Sequence, residues 1–207
     1  MAATSDSSRD DRPRRLIVNA DDFGFSPGIN RGIIEAHRAG TLPSASLMAT
    51  GIAFEDAVSL LADTPTLDVG LHFDLTMGPP LTGARTLTDP ATGRCHRLPA
   101  LLGLVAVGRI DRGEVIAEWR AQYDRLCAAG VRPSHLDGHH HAHAFPMIWG
   151  AVVDAAREAG ASHLHLRVPS ERLADGSGWR SALKSLALRS LWRIASARTP
   201  AVRRTDH

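Results

Sequence analysis

Short strand-like runs alternate with amphipathic helical stretches along most of this 207-residue chain, and that alternation leaves few folds open. Leu16-Ile17-Val18 fits a strand buried on both faces. Ser26 followed by Pro27 then starts a helix, with Ser as N-cap and Pro at the first helical position. That helix would bury Ile29, Ile33, Ile34 and Ala36 and stop at Gly40. Ser44–Thr50 is a second strand, followed by a helix with Ala53, Phe54, Ala57, Val58 and Leu61 on one side. Leu67–Thr76 is a third strand, Ser134–His139 a fourth and Ser162–Val168 a fifth. Asp111 and Glu114 have capping-box spacing and open a helix through Ile116, Trp119, Tyr123 and Leu126. Pro146 starts another through Ile148, Val152, Val153 and Ala156. Strands joined by helices pair in parallel, so the fold class is α/β with a parallel sheet. The longest irregular stretch, Met77–Gly113, has the character of a lid or binding loop.

With 43% hydrophobic residues the chain can bury a real core, and its length fits a tail over 1–13 and a single domain over 14–207. A net charge of +2 is too small to point to nucleic acid as partner. Two cysteines, Cys95 and Cys127, give no disulfide framework and fit a reducing cytoplasm. The longest apolar run, Leu98–Gly108, falls short of the about 20 residues that span a bilayer. The first residues, rich in Ser, Asp and Arg, lack the apolar segment of a signal peptide. A soluble cytoplasmic protein is therefore expected. The basic amphipathic stretch Ala182–Arg198 reads as a solvated outer helix rather than a membrane-surface one.

Polar residues gather where such sheets place their chemistry, at the carboxyl ends of strands. Asp21 and Asp22 follow the first strand; side by side they repel each other unless a cation or shared proton relieves them. His72 lies on the third strand between Leu71 and Phe73. Five of the 11 histidines fall between His135 and His143, with Asp137 among them. Strand alternation puts His135, Asp137 and His139 on one face and Leu136 on the other. In the fifth strand His163, His165 and Arg167 oppose Leu164, Leu166 and Val168. Side chains from four strands thus aim at one mouth, a pattern suited to a metal site or to acid–base work.

Three ordered motifs resemble the YdjC-like carbohydrate deacetylases, which include chitooligosaccharide deacetylases and a branch associated with hopanoid biosynthesis. They are Leu16-Ile17-Val18-Asn19-Ala20-Asp21-Asp22-Phe23-Gly24, Gly70-Leu71-His72-Phe73-Asp74-Leu75-Thr76, and His135-Leu136-Asp137-Gly138-His139-His140-His141-Ala142-His143. Leu166-Arg167-Val168-Pro169 also fits. The resemblance implies an irregular (β/α) barrel with one divalent ion, Mg2+ or Zn2+, at its mouth. It implies Asp22, His72 and His139 as ligands and Asp21 as general base, acting on an acetylated sugar or glycosylated small molecule. A ligand set of that kind leaves open positions for hydrolytic chemistry. The ion would activate water and polarise the acetyl carbonyl, while Asp21 takes a proton. Protonation of the leaving amine falls to Asp137, His141 or His143 if it is done within this chain; His135 and Arg167 join them as candidates for contacts around the site.

Family members continue through further strand–helix units, one of which supplies a histidine usually taken as the acid. Five candidate strands against the eight of a regular barrel make this chain resemble a C-terminally truncated member. An unclosed sheet would expose its edges and favour self-association as a homo-oligomer. Two other readings compete. A non-haem iron oxygenase also uses two His and one carboxylate, and His135-Leu136-Asp137 imitates its local spacing. A metal-binding remnant without turnover is the other.

Overall fold

The structure, a computed structural model, describes residues 16–167. The expected tail over 1–13, the end of the fifth strand at Val168 and the helix Ala182–Arg198 lie outside the described residues. In chain order the elements are β1 (Asn19–Phe23), α1 (Pro27–Arg38), β2 (Ser44–Leu47), α2 (Phe54–Leu61), β3 (Asp68–Phe73), β4 (Thr88–Asp89), β5 (Arg94–Cys95), α3 (Leu98–Ala106), α4 (Arg112–Ala128), β6 (His135–Gly138), α5 (Pro146–Glu158) and β7 (His165–Leu166). β1, β2, β3, β6 and β7 form one sheet in that order, every neighbouring pair parallel. Each crossover therefore returns beside the strand it left, with no reversal of order. Right-handed crossovers then carry the helices to one face, which is the winding of a (β/α) barrel wall rather than of a doubly wound sheet.

The two faces of the sheet differ as period-2 alternation requires. Ala45, Leu47, Val69, Leu71, Leu136 and Leu166 join Ile33, Ile34, Ala57, Trp119 and Val152 in one buried cluster with the helices. Each buried Leu, Ile or Val among them contributes about 1.5–3 kcal/mol. The intervening residues Ser44, Ser46, His72 and Asp137 are polar and still buried, so the opposite face holds a polar interior.

The first strand starts later than its apolar run implies. Leu16 and Ile17 are 88% and 69% exposed, and pairing begins at Asn19 opposite Ser44. The apolar run precedes the point where β2 can pair with it, so Asp21 and Asp22 lie inside β1 and not past its end. In the fourth strand only His135–Gly138 is extended; His139 opens a 3-10 turn, His139–Ala144, in which His140 and His141 have φ of 54 and 56°. Ser26 caps α1 as read, accepting from the Ile29 N–H at 3.3 Å, with Pro27 in the first turn.

Met77–Gly113 is more ordered than a free lid. It contains the β4–β5 antiparallel pair and α3, which the apolar run Leu98–Gly108 forms. Asp111 caps α4 through the Gly113 and Glu114 amides, but Glu114 does not close a capping box. Its carboxylate instead accepts from the Arg85 and Thr86 amides at 3.0 and 2.7 Å and from the Thr86 hydroxyl at 2.6 Å. One turn further along α4, buried Glu118 accepts from the Leu81 and Thr82 amides at 3.0 and 2.9 Å and from the Thr82 hydroxyl at 2.7 Å. The inner face of α4 is thus Val115, Glu118, Trp119, Gln122 and Leu126, with Ile116 and Tyr123 only partly buried.

Candidate metal centre

A break in β1 sets the centre. Ala20 pairs with Ala45 and Phe23 with Leu47, so β1 spends one residue more than β2 over the same span. Asp22 sits in that bulge with φ of 63°, a region non-glycine residues rarely enter. In a regular strand adjacent side chains face opposite ways; the bulge lets Asp21 and Asp22 both reach the mouth. Asp22 Oδ1 lies 3.2 Å from His72 Nε2 and 2.9 Å from His139 Nδ1. Asp21 Oδ1 accepts from Arg167 Nη1 at 2.7 Å and from Asn19 Nδ2 at 3.0 Å. Such strain at a cluster of charged groups is the pattern of a functional site.

His72 is held from behind. Its Nδ1 lies 2.7 Å from Asp137 Oδ1, with both side chains almost fully buried. Asp137 Oδ2 accepts from Ser46 Oγ at 2.9 Å and from Arg167 Nη1 at 3.1 Å. With Nδ1 donating to Asp137, the His72 Nε2 lone pair would face the Asp22 carboxylate, an arrangement that needs a positive charge between them. Burial opposes a charge on His72, but Asp137 and Asp22 outweigh it and raise its pKa to about 10. Hydrogen bonds from His139 and His72 hold Asp22 below the usual carboxylate range. Burial would raise Asp137, yet the hydrogen bond and charge of His72 hold it low.

The donor chemistry therefore fits a divalent ion. Asp22, His72 and His139 each offer a ligand atom, all within 4.8 Å of one another. Two imidazoles and a carboxylate suit zinc or another transition metal, and the Asp137 carboxylate behind His72 orients its ring in the way metal-binding histidines are commonly held. His140, exposed at the mouth, lies against His139 with ring centroids 4.0 Å apart, and its Nδ1 is 3.0 Å from Thr76 Oγ1.

The structure brings together Asp21, Asp22, His72, Asp137, His139 and Arg167 from the ends of four strands. It does not bring in His135, whose Nε2 and Nδ1 lie 3.1 Å from Ser46 Oγ and 2.9 Å from Ser134 Oγ. The His135-Leu136-Asp137 spacing therefore builds no facial triad. The single face expected for His135, Asp137 and His139 holds for the first two, which share Ser46; His139 reaches Asp22 from the turn instead. His143 is fully buried, its Nε2 donating to the Arg167 carbonyl at 3.0 Å, and burial pushes its pKa down to about 4. His141 is half-buried in the same turn. Sequence reasoning passed over Ser46, which joins Asn19, His135 and Asp137, and over Asn30, whose Oδ1 accepts from the Gly24 amide at 2.7 Å beside the bulge. The alternation Ser44-Ala45-Ser46-Leu47 carried the signal for Ser46; nothing local marks Asn30 in a helix.

No helix among the described residues is long and apolar enough to cross a membrane. The profile of a family described as YdjC-like protein matches residues 15–207. A carbohydrate deacetylase of Brevibacillus brevis is 46% identical over 145 residues, 70% of this chain and 56% of the relative. One from Geobacillus stearothermophilus is 42% identical over 144 residues, with the same shares covered. The match thus spans little more than half the length of these relatives. The crystal structure of a proposed cellobiose-phosphate cleavage protein from Enterococcus faecalis V583 superposes with a TM-score of 0.70 at 28% identity, covering 92% of this chain and 66% of that one. With the barrel-type winding, the three motifs and the family profile in agreement, the chain belongs to the YdjC-like family.

Proposed function

We propose that this chain is a metal-dependent hydrolase that removes the acetyl group from an N-acetylated carbohydrate. The observation that carries the proposal is the Asp22, His72 and His139 donor set with Asp21 next to it in the bulge of β1. The similarity to carbohydrate deacetylases supplies the substrate class. The ion would be Mg2+ or Zn2+, and when bound it would supply Lewis acidity to water and to the acetyl carbonyl. Asp22, His72 and His139 would hold it. Asp21, oriented by Arg167 and Asn19, takes the proton from the attacking water as general base. Asp137 fixes the His72 tautomer and so keeps the ligating nitrogen turned to the mouth.

The amine must leave with a proton. Of the three acids read from the sequence, Asp137 is buried and held ionised by His72, and His143 is buried and neutral. His141 alone of these keeps exposure.

The test is acetate and free-amine release from N-acetylglucosamine oligomers by the chelator-stripped chain, with and without each ion. Release should require the ion, and Asp21→Asn should keep the ion while losing about 10²–10⁴-fold in rate. A folded, ion-loaded chain that releases no acetate from any such oligomer would overturn the proposal.

A further inference from the structure

The mouth contains two overlapping donor groups. Besides Asp22, His72 and His139, the group Asp21, His72 and Asp137 also lies within 4.8 Å. His72 belongs to both, with Nε2 towards Asp22 and Nδ1 towards Asp137. A divalent ion could therefore settle in either group, or one in each. The two groups differ in what already fills them. Arg167 Nη1 lies 2.7 Å from Asp21 Oδ1 and 3.1 Å from Asp137 Oδ2, so a single guanidinium nitrogen bridges the two carboxylates of the second group. Ser46 Oγ donates to the same Asp137 oxygen, and the other Asp137 oxygen meets His72 Nδ1. No Lys or Arg is paired with Asp22 among the described residues; its partners are His72 and His139, the ligands of its own group.

Charge gives the same division. Asp21, Asp22 and Asp137 bring three negative charges into one partly buried site, and one divalent ion leaves one of them unbalanced. A guanidinium stays protonated at any working pH and is geometrically suited to carboxylates. Its position between Asp21 and Asp137 completes the balance without a second metal.

Resting on the metal reading above, we propose that Arg167 is the fixed cation of this mouth and the residue that selects between the two donor groups. It closes the Asp21–Asp137 side to metal, confines one ion to Asp22, His72 and His139, and leaves Asp21 free of metal and oriented for proton transfer. Arg167 is a positioning residue in this account; it acts through Asp21 and Asp137 and does not touch the reacting atoms.

Cobalt(II) titration of the chelator-stripped full chain tests this, read by elemental analysis and by the visible absorption of the bound ion. The wild type should take up one tight ion. Arg167→Ala and the longer, uncharged Arg167→Gln should take up a second, with new absorption bands. Arg167→Lys, which restores the charge, should return the chain to one. Adding Asp137→Asn to Arg167→Ala should abolish the second ion. Circular dichroism and melting of the metal-free proteins identify the folded variants on which the comparison is made, and either uncharged variant suffices. One ion with a wild-type spectrum in a folded Arg167→Ala or Arg167→Gln chain would overturn the inference and leave the metal reading intact. No tight ion in the wild type would instead overturn the metal reading, and the inference with it.

Discussion

Glu118→Ala should release the segment after β3 that Leu81 and Thr82 tie to α4, and the size of the effect follows from what Glu118 holds. The side chain is fully buried on α4 and accepts four hydrogen bonds: from the Leu81 amide (3.0 Å), the Thr82 amide (2.9 Å), the Thr82 hydroxyl (2.7 Å) and Gln122 Nε2 (2.8 Å). A hydrogen bond to a charged acceptor contributes about 1.5–3 kcal/mol, and an orphaned buried donor costs about 1–3 kcal/mol. Leu81 is 37% exposed and Thr82 half-buried, so water can replace part of what is lost. Gln122 keeps the Asp74 amide and carbonyl, at 3.0 and 2.7 Å. The net cost should be about 2–4 kcal/mol for Glu118→Ala and about 1–2 kcal/mol for the near-isosteric Glu118→Gln, which turns an amide N–H2 towards donors. At about 2 kcal/mol per molar, urea midpoints should fall by about 1–2 M for the alanine variant. The assay is urea unfolding followed by tryptophan fluorescence, since fully buried Trp119 neighbours Glu118, together with hydrogen exchange at the Leu81 and Thr82 amides. Unchanged midpoints and unchanged protection at those amides would refute the pinning of this segment by Glu118 and restore the expectation of a free lid.

Two further outcomes follow from buried titratable groups. Burial, then the charges of Asp74 and Glu118, push the Cys95 thiol up to about 12, while Cys127 is exposed; at pH 8 a thiol reagent should label Cys127 quickly and Cys95 only on unfolding, and equal fast labelling would contradict the packing. His143 has a folded pKa of about 4 against 6.5 unfolded, so the unfolded chain binds the extra proton first; its contribution is fully present above pH 6.5 and is lost as pH falls towards 4. The full loss is about 3 kcal/mol, and His143→Gln should melt with a flatter pH dependence than the wild type between pH 4 and 7; identical slopes would count against a neutral buried imidazole.

The sheet and most helix starts were legible because they rest on local rules. Ser26-Pro27 had to cap a helix, and Leu164 and Leu166 had to turn inward while His163 and His165 turned out. The convergence of Asp22, His72 and His139 was legible only through the rule that strand ends meet at one mouth, joined to the family resemblance. What stayed hidden depends on pairing between distant segments. The bulge that turns Asp21 and Asp22 the same way exists only against β2, and no residue of β1 alone announces it. Glu114 has capping-box spacing, yet Thr86, 28 residues earlier in the chain, competes for it and wins with two hydrogen bonds. His135 has the same alternation as Asp137, but Ser134 and Ser46 hold its ring nitrogens outside both donor groups.

Whether Asp22, His72 and His139 together hold one divalent ion, as proposed, is tested most directly by elemental analysis of stripped and reloaded protein. The wild type should carry one ion per chain after desalting, and His140→Ala, which removes the ring lying against His139 and its contact with Thr76 but no proposed ligand, should do the same. Asp22→Ala, His72→Ala and His139→Ala should each carry none. Full occupancy in folded His72→Ala would contradict the account, because that imidazole is the one residue common to both donor groups.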